Sequence, residues 1–212
     1  FGVDGSGAEV LQQTLDGFLA MGVQHISAYH LTIEENTRFG RMLAKGELHE
    51  VEEERSEAEF LQVHKALTEA GYEHYEVSNY ALEGRRARHN SAYWQGVEYL
   101  GIGPGAHSFS GDNRTWCVST AKEYGDGDIR LEGETLTDVD HLNEYVMTSL
   151  RRAEGIDLGF VAEHYGADEV ERIVASAKGW VEAGVVQHRG NQLLIPTTKF
   201  MMSDAVIESI FA

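Results

Sequence analysis

The chain has 212 residues, 42% hydrophobic and 25% charged, a length that holds one sizeable core or a partial domain with a smaller second one. With 35 acidic against 17 basic residues the formal charge is −18, a field that repels nucleic acid and anionic membrane. One cysteine excludes an internal disulfide, and no apolar run approaches the ~20 residues of a membrane span or opens the chain as a leader, so a cytoplasmic protein with no nucleic-acid partner is expected.

Residues 10–21 place Val10, Leu11, Thr14, Leu15, Phe18, Leu19 and Met21 at helical spacing, and Gly22 stops the run. Residues 25–33 read as a strand, so the opening reads as one αβ unit of a parallel barrel, a fold that places its chemistry at the C-terminal ends of its strands, here near Thr32. His25 and His30 stand at an odd offset on that strand and point to opposite faces, which excludes a paired metal site. Residues 47–70 read as a surface helix with Ala58, Leu61, Val63, Ala66 and Leu67 inward and His64 exposed. Its acid run, 50–54, suits the positive end of a helix dipole.

Residues 111–134 are polar and glycine-bearing and read as a barrel edge and linker, with Cys117 as buried filler. From Thr137 the pattern changes. Residues 138–152, 158–165 and 168–183 read as helices, 185–188 and 192–195 flank Arg189-Gly190-Asn191 as a hairpin, and 199–211 close as a last helix. Three helices and a two-stranded wing make a winged-helix-like arrangement. In isolation that would point to DNA, but its few bases are scattered among acids.

The densest chemistry lies in residues 72–109. A strand at 73–77 leads to a basic loop with Arg85, Arg86 and Arg88, then HNSAYW (His89 to Trp94), then EYLGIGPGAHSF (Glu98 to Phe109). The last segment reads as a short apolar strand broken by alternate glycines, Gly101, Gly103 and Gly105, which make either a tight corner or a place where a flat ligand or another backbone comes very close. These two motifs resemble the oxygen-independent coproporphyrinogen III oxidase-like family of radical S-adenosylmethionine (SAM) proteins, and HN-x-x-YW resembles its haem-chaperone branch. HISAYHLTIEENT, GYEHYEVSNYA and EYVMTSLRRAEGID extend the resemblance over nearly the whole chain.

The resemblance implies an α/β fold: the C-terminal half of an open (β/α) radical SAM barrel with its linker (1–134), followed by a mainly helical winged-helix-like domain (135–212). It implies SAM and a [4Fe-4S] cluster in the complete protein, with haem or porphyrin as ligand and an acceptor haemoprotein as partner. The family's C-x-x-x-C-x-x-C motif has no counterpart here, and the chain opens at Phe1 without Met. The expectation is a piece of a longer protein, catalytically silent as it stands and with no tightly bound cofactor.

Site residues implied by the resemblance are His89 as haem-iron ligand with Asn90, Tyr93 and Trp94 beside it, and Thr32, Gly101, Gly103 and His107 toward SAM. An imidazole mostly neutral at pH 7 is free to coordinate, and planar side chains stack on a macrocycle. Arg85, Arg86 and Arg88 read either as a solvated loop or as a site for propionates. Two positions depart from the family: many members carry Cys where Ala87 stands, and the oxidase branch holds an apolar residue at His107. A true oxidase and a non-catalytic winged-helix interaction module with a vestigial barrel are the alternatives.

Overall fold

The computed structural model describes residues 1–212. The first part runs α1 (Ala8–Ala20), β1 (His25–Ser27), α2 (Arg38–Ala44), α3 (Glu53–Glu69), β2 (Glu73–Glu76), β3 (Asn79–Ala81) and α4 (Arg88–Trp94). Two αβ units are present, but β1 and β2 are not direct neighbours. The sheet order is β1-β3-β2, with β3 antiparallel to both, so the parallel pair is spaced one strand apart. The predicted strand at 25–33 ends at Ser27; Tyr29 and Leu31 instead bond to the terminal amino group and carbonyl of Phe1.

The helix expected at 47–70 begins at Glu53, and its buried face is Ser56, Glu59, Phe60, Val63 and Leu67, with Ala58 and Leu61 exposed. The buried acid explains the rotated face. Glu59 accepts from the Gly2 amide (2.7 Å) and pairs with Arg55 (2.7 Å). Burial pushes its pKa up, but these partners outweigh burial and hold it below the usual carboxylate value. His64 is half-buried rather than exposed, with its Nδ1 2.9 Å from His74 Nδ1.

Residues 111–134, expected as edge and linker, instead belong to a separate antiparallel meander over 107–135: β4 (His107–Ser110), β5 (Asn113–Cys117) and β6 (Leu131–Thr135), with α5 (Ala121–Gly125) between the last two. Alternation is weak because no residue of β6 is buried, so the signal for that strand was missing. The glycine segment is a loop from Leu100 to Ala106 and becomes a strand only at His107, where β4 begins. Tyr99 pairs with Phe109 in an isolated bridge, and Leu100 and Ile102 are 78% and 79% exposed. Gly101 meets another backbone as expected, since a Cβ there would lie 2.2 Å from the His107 carbonyl oxygen.

The remaining elements are α6 (Asp138–Leu150), β7 (Ile156–Asp157), α7 (Leu158–His164), α8 (Ala167–Glu182), β8 (Gln187–Arg189), β9 (Gln192–Leu194), a 3-10 turn (Thr197–Met202) and α9 (Ser203–Ile210). α6 starts with a full capping box, Thr137 with Asp140. β7 joins the expected hairpin to give the order β7-β9-β8. Gly155 is required there: its φ is +72°, and a Cβ would lie 2.4 Å from the Leu193 carbonyl oxygen.

The main core gathers Leu142, Val146, Leu150, Ile156, Val161, Ile173, Leu193 and Ile207 with others of this last part, and also takes Phe60 from α3. A smaller core, including Leu15, Ile26, Val63, Leu67 and Tyr80, lies under the first sheet. The free edge of β2 is closed by the turn after α6: the Val77 amide donates to the Arg151 carbonyl (3.0 Å) and the Ala153 amide to that of Tyr75 (3.1 Å).

Candidate functional site

The site is built around α4, a seven-residue helix that replaces the expected basic loop at its C-terminal end. Asn90, Tyr93 and Trp94 line a cleft of about 460 Å³ together with Tyr29, Glu76, Val77, Ser78, Asn79 and Arg151. Tyr29 follows β1, Glu76 ends β2, and Val77 and Ser78 lead from it into β3, so this cleft lies at the C-terminal ends of the two parallel strands, where barrel folds place ligands. Glu76 is 1% exposed and accepts from the Ser78 amide (3.1 Å). Burial pushes its carboxyl pKa up, against the hydrogen bonds from Ser78 and Asn79. The buried Trp94 indole N–H sits close enough to this carboxyl to lower its pKa as well, but short of full hydrogen-bond geometry.

A second cleft, about 540 Å³, opens on the other side of Tyr93 and Trp94. Tyr99 lines it from the glycine loop, Phe109 and Arg114 from the meander, and His141, Tyr145, Thr148, Arg152, Phe160 and Tyr165 from the helical part. His89 is exposed, and no hydrogen bond or ion pair engages either ring nitrogen. Its ring sits edge-on to Tyr93 at 4.9 Å, as residues four apart on a helix allow. The row continues through Tyr93–Tyr99 (4.6 Å) and Tyr99–Phe109 (6.0 Å).

The three arginines differ. Arg86 is held by Glu73 (3.1 Å) and Glu154 (2.6 Å) and lies 5.2 Å from the Tyr75 ring centroid, so a structural network occupies it. Arg85 and Arg88 are exposed and form no ion pair. Thr32, Gly101, Gly103 and His107 line neither cleft. Thr32 is exposed, Gly103 has φ +116°, and His107 stacks on Trp116 at 5.7 Å. Glu76, Arg114, His141, Tyr145, Arg152 and Phe160 were not singled out from sequence. Nothing local in the sequence tells a cleft aromatic such as Tyr145 from a core one.

No protein-family model matches the chain. It is 30% identical to the heme chaperone HemW of Mycobacterium tuberculosis (strain ATCC 25618 / H37Rv) over 99% of its own length and 53% of that protein. The heme chaperone HemW of Bacillus subtilis (strain 168) is 30% identical over 89% of the chain and 51% of its own length. Among solved structures, coproporphyrinogen III oxidase (HemN) from Escherichia coli, a radical SAM enzyme, superposes with a TM-score of 0.74 and 14% identity, over 100% of this chain and 53% of that one. The chain thus spans about half the length of the curated relatives it matches.

Strand-end cleft, motif helix and these likenesses point the same way: the chain is similar over nearly its whole length to proteins named as heme chaperones. It shares its fold with a radical SAM enzyme, coproporphyrinogen III oxidase. Complete radical SAM proteins hold SAM and a [4Fe-4S] cluster, but the residues here do not fit the cluster. It takes three or four thiolates; the one cysteine, Cys117, is buried in β5, and no group of three or more His, Cys, Asp or Glu converges anywhere.

Proposed function

We propose that this chain is the haem-binding portion of a radical SAM haem chaperone-like protein, which in complete form binds haem and passes it to an acceptor haemoprotein. The observation that carries the reading is His89: an exposed imidazole with both nitrogens free, at the end of an aromatic row whose next member lines both clefts. A neutral imidazole ligates haem iron, and aromatic faces pack on the macrocycle. Asn90, Tyr93 and Trp94 lie on the same helix, and Arg85 and Arg88 stand just before His89 with no carboxylate partner, free to meet propionates by their forked geometry. The names of the relatives support the ligand class. Thr32, Gly101, Gly103 and His107 remain proposed SAM contacts of the complete protein.

Titrating haemin into the protein and following the Soret band tests the reading. Wild type should show a ligation-type shift, and His89→Ala should lose it with binding roughly tenfold or more weaker. Unchanged affinity and spectrum in the variant would remove His89 from the ligand role.

A further inference from the structure

The larger cleft is separate from the strand ends and is not needed for iron ligation. Its two aromatic walls come from different parts of the fold. One is the Tyr93–Tyr99–Phe109 row of α4, the glycine loop and the meander. The other is Tyr145 of α6 stacked on Phe160 of α7, with centroids 4.5 Å apart and planes 28° from parallel, Phe160 being stacked in turn on His164 (4.0 Å, 22°). A volume of about 540 Å³ falls within the range of small-molecule sites, roughly 300–1,000 Å³.

Charge gives the cleft a direction. Its lining carries Arg114, Arg152 and His141; Arg114 is held by Glu144 and Glu134 and His141 by Asp112, which leaves Arg152 as the cation to consider. Arg152 forms no direct ion pair, although its charge reaches Glu154 and helps to lower that carboxyl's pKa. Its Nε donates to the Thr148 carbonyl (3.2 Å) and one terminal nitrogen to Ser149 Oγ (3.3 Å), leaving its other donors uncommitted. A flat apolar slot with a spare guanidinium selects a planar aromatic ligand that carries a carboxylate.

We propose that this cleft, between α4, the meander and α6–α7, is the seat of the porphyrin ring, with Tyr145 and Phe160 as its stacking platform and Arg152 as the anchor of one propionate. The assignment rests on the haem reading for its ligand class and adds a place for the ring that does not depend on iron.

Metal-free protoporphyrin IX is therefore the probe, since it cannot use His89 as an iron ligand. Titrated into the purified protein, it should quench tryptophan fluorescence through Trp94 at the cleft wall. Arg152→Gln and Phe160→Leu should each weaken binding about tenfold, Arg152→Lys should restore part of the loss, and Lys178→Gln on α8 should bind as wild type does. Circular dichroism melts check that each variant is folded. The assignment fails if protoporphyrin binds Arg152→Gln and Phe160→Leu as tightly as wild type. It also fails if wild type binds haemin but not the metal-free ring, an outcome that leaves iron ligation by His89 standing. Cleft-dependent protoporphyrin binding beside an unchanged haemin spectrum in His89→Ala would uphold the cleft and sink the iron ligand.

Discussion

His74 shows how much one buried side chain is held by its neighbours. It stacks on Tyr80 (4.0 Å), meets Phe200 edge-on (5.1 Å) and lies near Phe60 (5.9 Å), while its Nδ1 faces His64 of α3. Burial, then the charge His64 would carry, lowers its pKa to about 3. The folded value lies below the ordinary 6.5, so the fold holds the neutral ring. Stability from this group is complete above about pH 6.5 and is lost as pH falls from there toward about 3, where the folded ring itself takes a proton. Urea midpoints should drop between pH 7 and pH 5, and drop less in His74→Phe, whose ring suits the aromatic surroundings. The Glu76 carboxyl, on the same strand with its pKa raised by burial, titrates in both proteins and cancels in the comparison. Equal pH slopes in the two would refute this role. Nothing around His64 and His74 in sequence announces the pair; helix and strand bring them together.

At the scale of elements, α6 supports both the core and the larger cleft: Leu142, Val146 and Leu150 point one way, while Tyr145 and Thr148 line the cleft. Its start was readable from the change of pattern at Thr137; the structure adds the reciprocal cap, in which Thr137 and Asp140 satisfy two orphan amides. Thr137→Ala should cost about 1 kcal/mol of unfolding free energy. Leu150→Ala, which opens a cavity at a fully buried position, should cost about 2–5 kcal/mol. Leu100→Ala, on the exposed glycine loop, should stay within about 0.5 kcal/mol. Chemical denaturation of the three variants checks the order; a Leu100 effect as large as that of Leu150 would mean the loop is packed in solution.

Over the whole molecule, the two hydrophobic cores are tied at Phe60, at the His74–Phe200 contact and at the hydrogen bonds between β2 and residues 151–153. The larger cleft exists because these ties bring α6 and α7 beside α4. No helix is long and apolar enough to cross a membrane. With one thiol, the chain should take up no stoichiometric [4Fe-4S] cluster when treated anaerobically with iron and sulfide. Iron and sulfide analysis near four of each per chain would overturn that expectation.

By itself the sequence determined the elements that local chemistry writes down: amphipathic periodicity for α6 and α8, turn residues for the β8–β9 hairpin, and the motif that places His89, Tyr93 and Trp94 together on one short segment. It also determined the charge and the lack of thiolates. Only the tertiary structure decided that β3 lies between β1 and β2, that Phe60 rather than Leu61 is buried, that Arg86 is occupied by Glu73 and Glu154, and that Tyr145 and Phe160 wall a cleft with Tyr93. Periodicity reports which residues favour burial within one element. Which surface buries them, and which charge meets which, depends on segments brought together from distant parts of the chain.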